Sequence, residues 1–150
     1  MKGFSLLEIL IVIGILAVIA AVGSGFYMNY ARVVELNSIG KSIISDLKGA
    51  QAKAMSGEGG LKWGVRFVNS TNDYYEIFST PSDYNNPAKE ITDTIFLSGG
   101  LSFSRPVESS EIIIIFDKIK GTVASEETII ASSVNGQSKT ITVTKGGNIY

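Results

Sequence analysis

The sequence predicts an α+β fold, in which a long amino-terminal helix packs against a β-rich head of about seven or eight antiparallel strands. Residues 9–31 form a run of 23 residues without a charge. From residue 32 to 56 the apolar residues recur at steps of three to four, which is the period of a helix with one buried face. Beyond residue 57 short β-branched and aromatic runs alternate with turn residues, which is typical of short strands.

The composition limits the classes of function that the chain can have. Its 150 residues are enough for one compact domain and a membrane segment. The net charge of −1 gives no general attraction to nucleic acid, which we do not expect as a partner. With no cysteine and no histidine, the chain cannot build a Ser-His or Cys-His nucleophile and lacks the commonest zinc ligands. We therefore predict a protein that is not an enzyme and has no catalytic residues, no cofactor and no metal.

The first element, residues 4–31, is predicted to be a membrane helix. At about 1.5 Å per residue the uncharged run spans roughly 35 Å, enough for a bilayer core of about 30 Å. Glu8 stands at the edge of this run, where a charge is costly unless it is paired or lies at the interface. We therefore expect Glu8 to have a function and to need a partner.

Three interpretations account for this amino terminus. A cleavable secretory signal needs a charged start and a small-residue cleavage site, which residues 20–25 loosely supply. It fits poorly with the single Lys2 and the embedded Glu8. A plain signal anchor explains the length of the apolar run but not the tolerated carboxylate.

The third interpretation rests on a resemblance. Residues 3–8, Gly-Phe-Ser-Leu-Leu-Glu, followed by the apolar run, resemble the class III signal of type IV pilins and type II secretion pseudopilins. The resemblance implies that prepilin peptidase cleaves between Gly3 and Phe4, which removes residues 1–3 as a leader, and then methylates the new amino terminus of Phe4. It also implies that Glu8 serves filament assembly by pairing with the Phe4 amino group of a neighbouring subunit.

The same resemblance implies the partners and the location. The partners are prepilin peptidase, other pilin or pseudopilin subunits, an inner-membrane assembly platform and membrane lipid. The chain would cross the inner (cytoplasmic) membrane once, with its amino terminus in the cytoplasm and its head outside, and then enter a pilus or pseudopilus. This orientation is taken from the motif, because basic residues are more numerous after the span than before it.

The second half of the helix, residues 32–56, is predicted to be amphipathic. The apolar positions that define its buried face are Val33, Leu36, Ile43, Leu47, Ala50 and Ala54. Ser5 and Glu8 lie three apart at the start of the helix, as in a capping pair. Gly23 and Gly25 stand where many pilins have a helix-bending proline, and we expect local melting or curvature there. After Ser56, glycine is available for a left-handed cap.

The head, residues 57–150, contains seven predicted strands. They lie at residues 61–68, 73–78, 94–97, 101–103, 112–116, 127–131 and 139–144. Residues 79–89 hold two of the three prolines and are predicted to form a long exposed loop. Alternation alone does not decide which of Trp63, Tyr74, Tyr75 and Phe78 belong to the core.

Two features of the head bear on function. Asp83, Asn85 and Asn86 could offer oxygen ligands to calcium, but the loop lacks the acidic density of a strong site, and we predict no metal there. Residues 112–149 resemble the carboxyl-terminal half of the minor pseudopilin H group.

The sequence as a whole thus predicts a structural subunit of a type IV pilus or type II secretion pseudopilus, of the minor kind. The alternative is a signal-anchored extracytoplasmic ligand-binding or adhesion domain that does not polymerise.

Overall fold

One helix carries the first third of the chain. The structure is a computed structural model that describes residues 5–150, apart from the side chains of residues 23, 24 and 26. Helix α1 runs from Leu6 to Ser56, which is 51 residues, or about 77 Å at the usual rise per residue. It ends as predicted, because Gly57 takes the left-handed conformation (φ 69°) and donates its N–H to Ala54 and Lys53. Residues 23–25 are helical like their neighbours, so the expected melting is not seen in this chain.

Seven strands follow the helix, in agreement with the predicted number. A single 3₁₀ turn at Glu58–Gly60 leads into the first of them. The strands are β1 (Lys62–Val68), β2 (Tyr74–Thr80), β3 (Glu90–Phe96), β4 (Leu101–Arg105), β5 (Glu111–Phe116), β6 (Glu127–Ser133) and β7 (Ser138–Val143).

The strands form two antiparallel sheets. The larger sheet has the order β3-β2-β1-β5, and the smaller has the order β4-β6-β7. The last residues of the chain extend the smaller sheet, since Tyr150 exchanges two backbone hydrogen bonds with Thr142 on β7. In the larger sheet Gly64 allows a close approach of strands, because a Cβ there would lie 2.4 Å from the carbonyl oxygen of Ile114.

The core lies between the helix and the two sheets. Five of the six predicted apolar positions of the second half of α1 are buried: Leu36, Ile43, Leu47, Ala50 and Ala54. Val33 is only half-buried, because it lies where the head begins to leave the helix. These side chains pack against the inner faces of β1, β5, β6 and β7. The predicted packing of a β-rich head on the amphipathic half is therefore confirmed.

The four aromatic residues that the sequence left undecided divide between the two faces of the larger sheet. Trp63 and Tyr75 belong to the core. Tyr74 lies on the opposite face, where its ring contacts that of Phe96 at 5.5 Å between centroids. Phe78 is also on that outer face but is fully buried, because Tyr84 from the following loop covers it with an edge-on ring contact at 5.0 Å.

The predicted long loop is shorter and better anchored than expected. Strand β2 continues to Thr80, so the loop comprises residues 81–89. Its tip residues are exposed, but Tyr84 folds back over the sheet. Asp83 and Asn86 use their side-chain oxygens to accept the N–H groups of Asn85 and Ala88, at 2.9 Å each. Among the described residues no group of three or more acidic, histidine or cysteine side chains is arranged to hold a metal.

Candidate functional site

The start of α1 is built by Ser5. Its backbone is extended (φ −75°, ψ 144°), and its hydroxyl accepts the N–H of Leu7 at 3.2 Å, so it caps the helix. The backbone N–H of Glu8 donates to the carbonyl oxygen of Ser5 at 3.0 Å. The expected capping role of Ser5 is therefore confirmed. The reciprocal bond from the Glu8 side chain is not formed in the part of the chain that the structure describes.

Glu8 lies in the first turn of the helix and is exposed. Within residues 5–150, no hydrogen bond or ion pair satisfies its carboxylate. Ile9, Val12 and Ile13 surround it and line a shallow depression with it. The helix dipole favours an acidic group here by only about 0.3–1 kcal/mol, whereas a charge at membrane depth costs a few kcal/mol. In an apolar setting Glu8 would need a neutralising partner beyond residues 5–150 of its own chain.

The helix beyond Glu8 exposes an apolar surface on all sides. Its large apolar side chains from Leu6 to Val22 are each at least half exposed. An 18-residue window has a mean hydropathy of 2.9, so the helix is long and apolar enough to cross a membrane. Water is a poor solvent for such a surface, and lipid or neighbouring helices would cover it.

The predicted cleavage and methylation residues, Gly3 and Phe4, lie outside the described residues. The geometry of the site therefore begins at Ser5. The sequence around them is nevertheless recognised. The prokaryotic N-terminal methylation motif matches residues 1–24. The chain has the amino-terminal signal of the type IV pilin-like family. This signal belongs to pilin-type precursors that prepilin peptidase processes.

The β head lies outside the matched residues. Comparison with curated proteins and with solved structures gives no match. The resemblance of residues 112–149 to the minor pseudopilin H group therefore stays a prediction. The motif nevertheless indicates a structural protein, and the apolar helix fits membrane anchoring before assembly.

A polar contact that the sequence did not reveal fixes the head to the helix where the apolar surface ends. The side chain of Asn135, in the turn between β6 and β7, donates to Asn29 at 2.8 Å and accepts from Arg32 at 2.6 Å. One turn further along the helix, Glu35 accepts a short hydrogen bond from Ser98. The sequence signalled the turn by its Asn135-Gly136 pair, but nothing local showed that the turn reaches the helix.

A second set of contacts fixes the helix at the other end of the head. Gln51 donates from its side-chain nitrogen to the carbonyl oxygens of Gly121, at 2.9 Å, and Gly147, at 2.8 Å. On β2, the Tyr75 hydroxyl donates to Asp46 at 2.7 Å. Burial raises the pKa of Tyr75 above its ordinary value, and the hydrogen bond to Asp46 adds to the effect. These bonds hold the head in one position on α1.

The outer face of the larger sheet carries an ionic cluster that the sequence analysis also missed. Arg66 binds Glu111 through Nε at 2.7 Å, and its Nη1 contacts Glu76 at 3.2 Å and the Tyr84 hydroxyl at 2.8 Å. Burial lowers the pKa of the Arg66 guanidinium, but the two carboxylates outweigh this and raise it overall. The guanidinium binds both carboxylates and the Tyr84 hydroxyl at once, so the cluster ties the loop after β2 to β1, β2 and β5.

Proposed function

We propose that the chain is a structural subunit, of the minor pilin or pseudopilin kind, of a type IV pilus or type II secretion pseudopilus. The observation that supports it most strongly is Glu8, which has no partner within residues 5–150 and stands at the start of an exposed apolar helix, inside the matched methylation motif. In this proposal residues 1–3 are the leader, and residues 4–31 cross the membrane and later form the filament core. Residues 32–56 are the half of the helix that carries the head, and residues 57–150 are the head itself.

Processing and assembly follow from this division of the chain. Prepilin peptidase cleaves between Gly3 and Phe4 and methylates Phe4, while the amino terminus faces the cytoplasm. The assembly platform then transfers the helix from lipid to a bundle of helices from other subunits. The ammonium group of Phe4 in a neighbouring subunit neutralises Glu8, because a carboxylate left unpaired in an apolar bundle is strongly destabilising.

Mass spectrometry of the mature amino terminus tests the processing step. A methylated Phe4 at the start of the mature chain is the expected result in cells that contain prepilin peptidase. Deleting the peptidase should leave the chain unprocessed, with residues 1–3 attached. An intact Met1 or Lys2 in the presence of the peptidase would favour the alternative, an anchored ligand-binding or adhesion domain that does not polymerise.

Replacement of Glu8 tests the assembly step. Glu8→Ala should leave membrane insertion intact, because it removes a charge from the span, but should stop incorporation into filaments. Glu126→Ala is a matched control, since Glu126 is exposed on the head and far from the helix start. The measurement is the amount of each variant in the membrane fraction and in sheared filaments. Normal incorporation of Glu8→Ala would contradict the proposed role of Glu8.

The abundance of the subunit tests the minor assignment. A minor, tip-associated subunit should be scarce in sheared filaments relative to the principal one. If quantitative mass spectrometry finds this chain as the dominant subunit, the preference for a minor role is wrong, although the family signal is unaffected.

A further inference from the structure

The apolar surface of α1 ends at a definite level along the helix. Asn29 lies 21 positions after Glu8, which corresponds to about 32 Å of helix, close to the thickness of a bilayer core. Tyr27 and Tyr30 are 72% and 68% exposed at this level, and tyrosine is enriched where a membrane meets water. The first charge after the apolar run, Arg32, follows directly. Length, aromatic residues and charge thus place the outer membrane interface at residues 27–32.

The turn between β6 and β7 lies at the same level. Its Asn135 is hydrogen-bonded to both Asn29 and Arg32, so the tip of this turn sits beside the residues that mark the interface. The loop before β4 contacts the helix higher up, at Glu35 through Ser98, which is about 9 Å further from the membrane than Asn29. The β6–β7 turn is therefore the nearer of the two loops to the bilayer.

The tip of this turn carries an exposed apolar side chain. Val134 is 67% exposed, and its backbone N–H donates to the carbonyl oxygen of Gly100 at 3.1 Å, which fixes its position. An exposed valine on its own needs no explanation. Here it directly precedes Asn135, which is hydrogen-bonded to Asn29 and Arg32, so its backbone lies at the level where the apolar surface of the span ends.

We infer that the β6–β7 turn, residues 134–136, is a membrane foot: it rests in the headgroup layer of the bilayer before the subunit is assembled, with Val134 inserted among the lipids. The partner is a phospholipid surface, and the inference rests on the proposed membrane anchoring of α1. The foot gives the head a fixed height and orientation above the membrane, because Asn135 couples it to the helix. Extraction of the subunit into a filament would have to break this lipid contact.

The chain has no cysteine, so single cysteine variants can be labelled with an environment-sensitive fluorophore without background. The test uses the full chain in vesicles of phosphatidylethanolamine and phosphatidylglycerol that contain spin-labelled quencher lipids. Val134→Cys reports the foot. Val18→Cys reports the middle of the span, and Ile119→Cys is the control, since Ile119 is 76% exposed and hydrogen-bonded to Ala54, far from the membrane. Fluorescence of Trp63, the single tryptophan, verifies that each variant folds.

The expected result is that lipid quenchers reduce emission severalfold more at position 134 than at position 119. Headgroup-level quenchers should act best at 134 and deep quenchers best at 18. If position 18 is quenched while 134 behaves like 119, the membrane foot is wrong and membrane anchoring stands. If position 18 is not quenched, the proposed anchoring fails, and the foot fails with it.

Discussion

Tyr84 joins the loop between β2 and β3 to the outer face of the larger sheet. Its hydroxyl donates a short hydrogen bond to Glu76 and accepts one from Arg66 at 2.8 Å. The ammonium group of Lys89 lies 3.4 Å from the centre of its ring. Burial raises the pKa of Tyr84 to about 12, and the hydrogen bond to Glu76 acts in the same direction.

This raised pKa predicts how the loop responds to alkali. Because the folded state favours the protonated phenol, the stabilisation is complete below the ordinary tyrosine pKa of about 10 and is lost as the pH rises through about 12. The measurement is the absorbance of tyrosine phenolate as a function of pH, for the wild type and for Tyr84→Phe. The difference between the two curves is the titration of Tyr84. Glu76→Gln removes the anionic acceptor and should lower the midpoint. A difference curve centred near 10 in the wild type would contradict the proposed contacts.

Gly64 is a second position where one residue decides the packing. A Cβ there would meet the backbone oxygen of Ile114 at 2.4 Å and the ring of Phe78 at 2.8 Å. Gly64→Ala should therefore lower the free energy of unfolding by about 1–3 kcal/mol, as overpacking does. Gly49→Ala is the matched control, since nothing lies within 4 Å of its Cβ position in the helix. This substitution should raise the free energy of unfolding by about 1 kcal/mol. Denaturant unfolding followed by Trp63 fluorescence measures both, and equal effects would contradict this account.

At the scale of elements, α1 has two environments. From Leu6 to Val22 its large side chains are exposed, whereas its residues from Leu36 to Ala54 supply one side of the core. The head is fixed to the second half by an apolar stripe and by polar bonds at both ends. We therefore expect the head to move with the helix as one body, while the first half remains available to lipid or other helices.

Gln51 links α1 to two loops that are distant in sequence. Gln51→Ala should leave the carbonyl oxygens of Gly121 and Gly147 without their partner, at a cost of about 1–3 kcal/mol. Amide hydrogen exchange should speed up at Val123 and Gly147, whose N–H groups bond within the same region. Gln137→Ala, at an exposed position of the β6–β7 turn, should leave exchange at those amides unchanged. Unchanged exchange in the Gln51 variant would contradict the linking role.

At the scale of the whole molecule, the head should be stable without the membrane half. Among the described side chains of the helix, Asn29 is the first that is hydrogen-bonded to the head, and Leu36 is the first that is buried. A chain that begins at residue 29 should therefore be soluble and keep a cooperative unfolding transition by circular dichroism and Trp63 fluorescence. Aggregation or loss of the transition would show that residues before 29 contribute to the fold.

Local patterns in the sequence predicted much of this fold. The cap at Gly57, the apolar stripe ending at Ala54 and the seven strands each depend on a few neighbouring residues. Glu8 was found for the same reason, because a charge beside an apolar run stands out locally. The cap formed by the Ser5 hydroxyl was also predictable, although the Glu8 side chain does not form the second bond of the capping pair within the described residues.

What the sequence did not predict depends on residues far apart in the chain. Asn29 and Asn135 are separated by 106 positions, and Gln51 binds carbonyl groups 70 and 96 positions away. Such contacts depend on the strand order of the two sheets, which periodicity does not encode. Tyr84 was missed because it lies in an irregular loop, where no alternation shows which side chain turns inward.

The order of the strands sets the order in which the chain can become compact during synthesis. Strands β6 and β7, which cover part of α1, come from the end of the chain, whereas the helix is synthesised first. Between Ala54 and Val143 roughly 90 residues must emerge, which takes about 5–20 s at about 5–20 residues per second. Throughout that interval the part of the apolar stripe that β6 and β7 cover stays exposed, although β1, which is made directly after the helix, can already pack on it. We expect a chaperone or, if the proposed anchoring holds, the bilayer surface to shield that part until synthesis is complete.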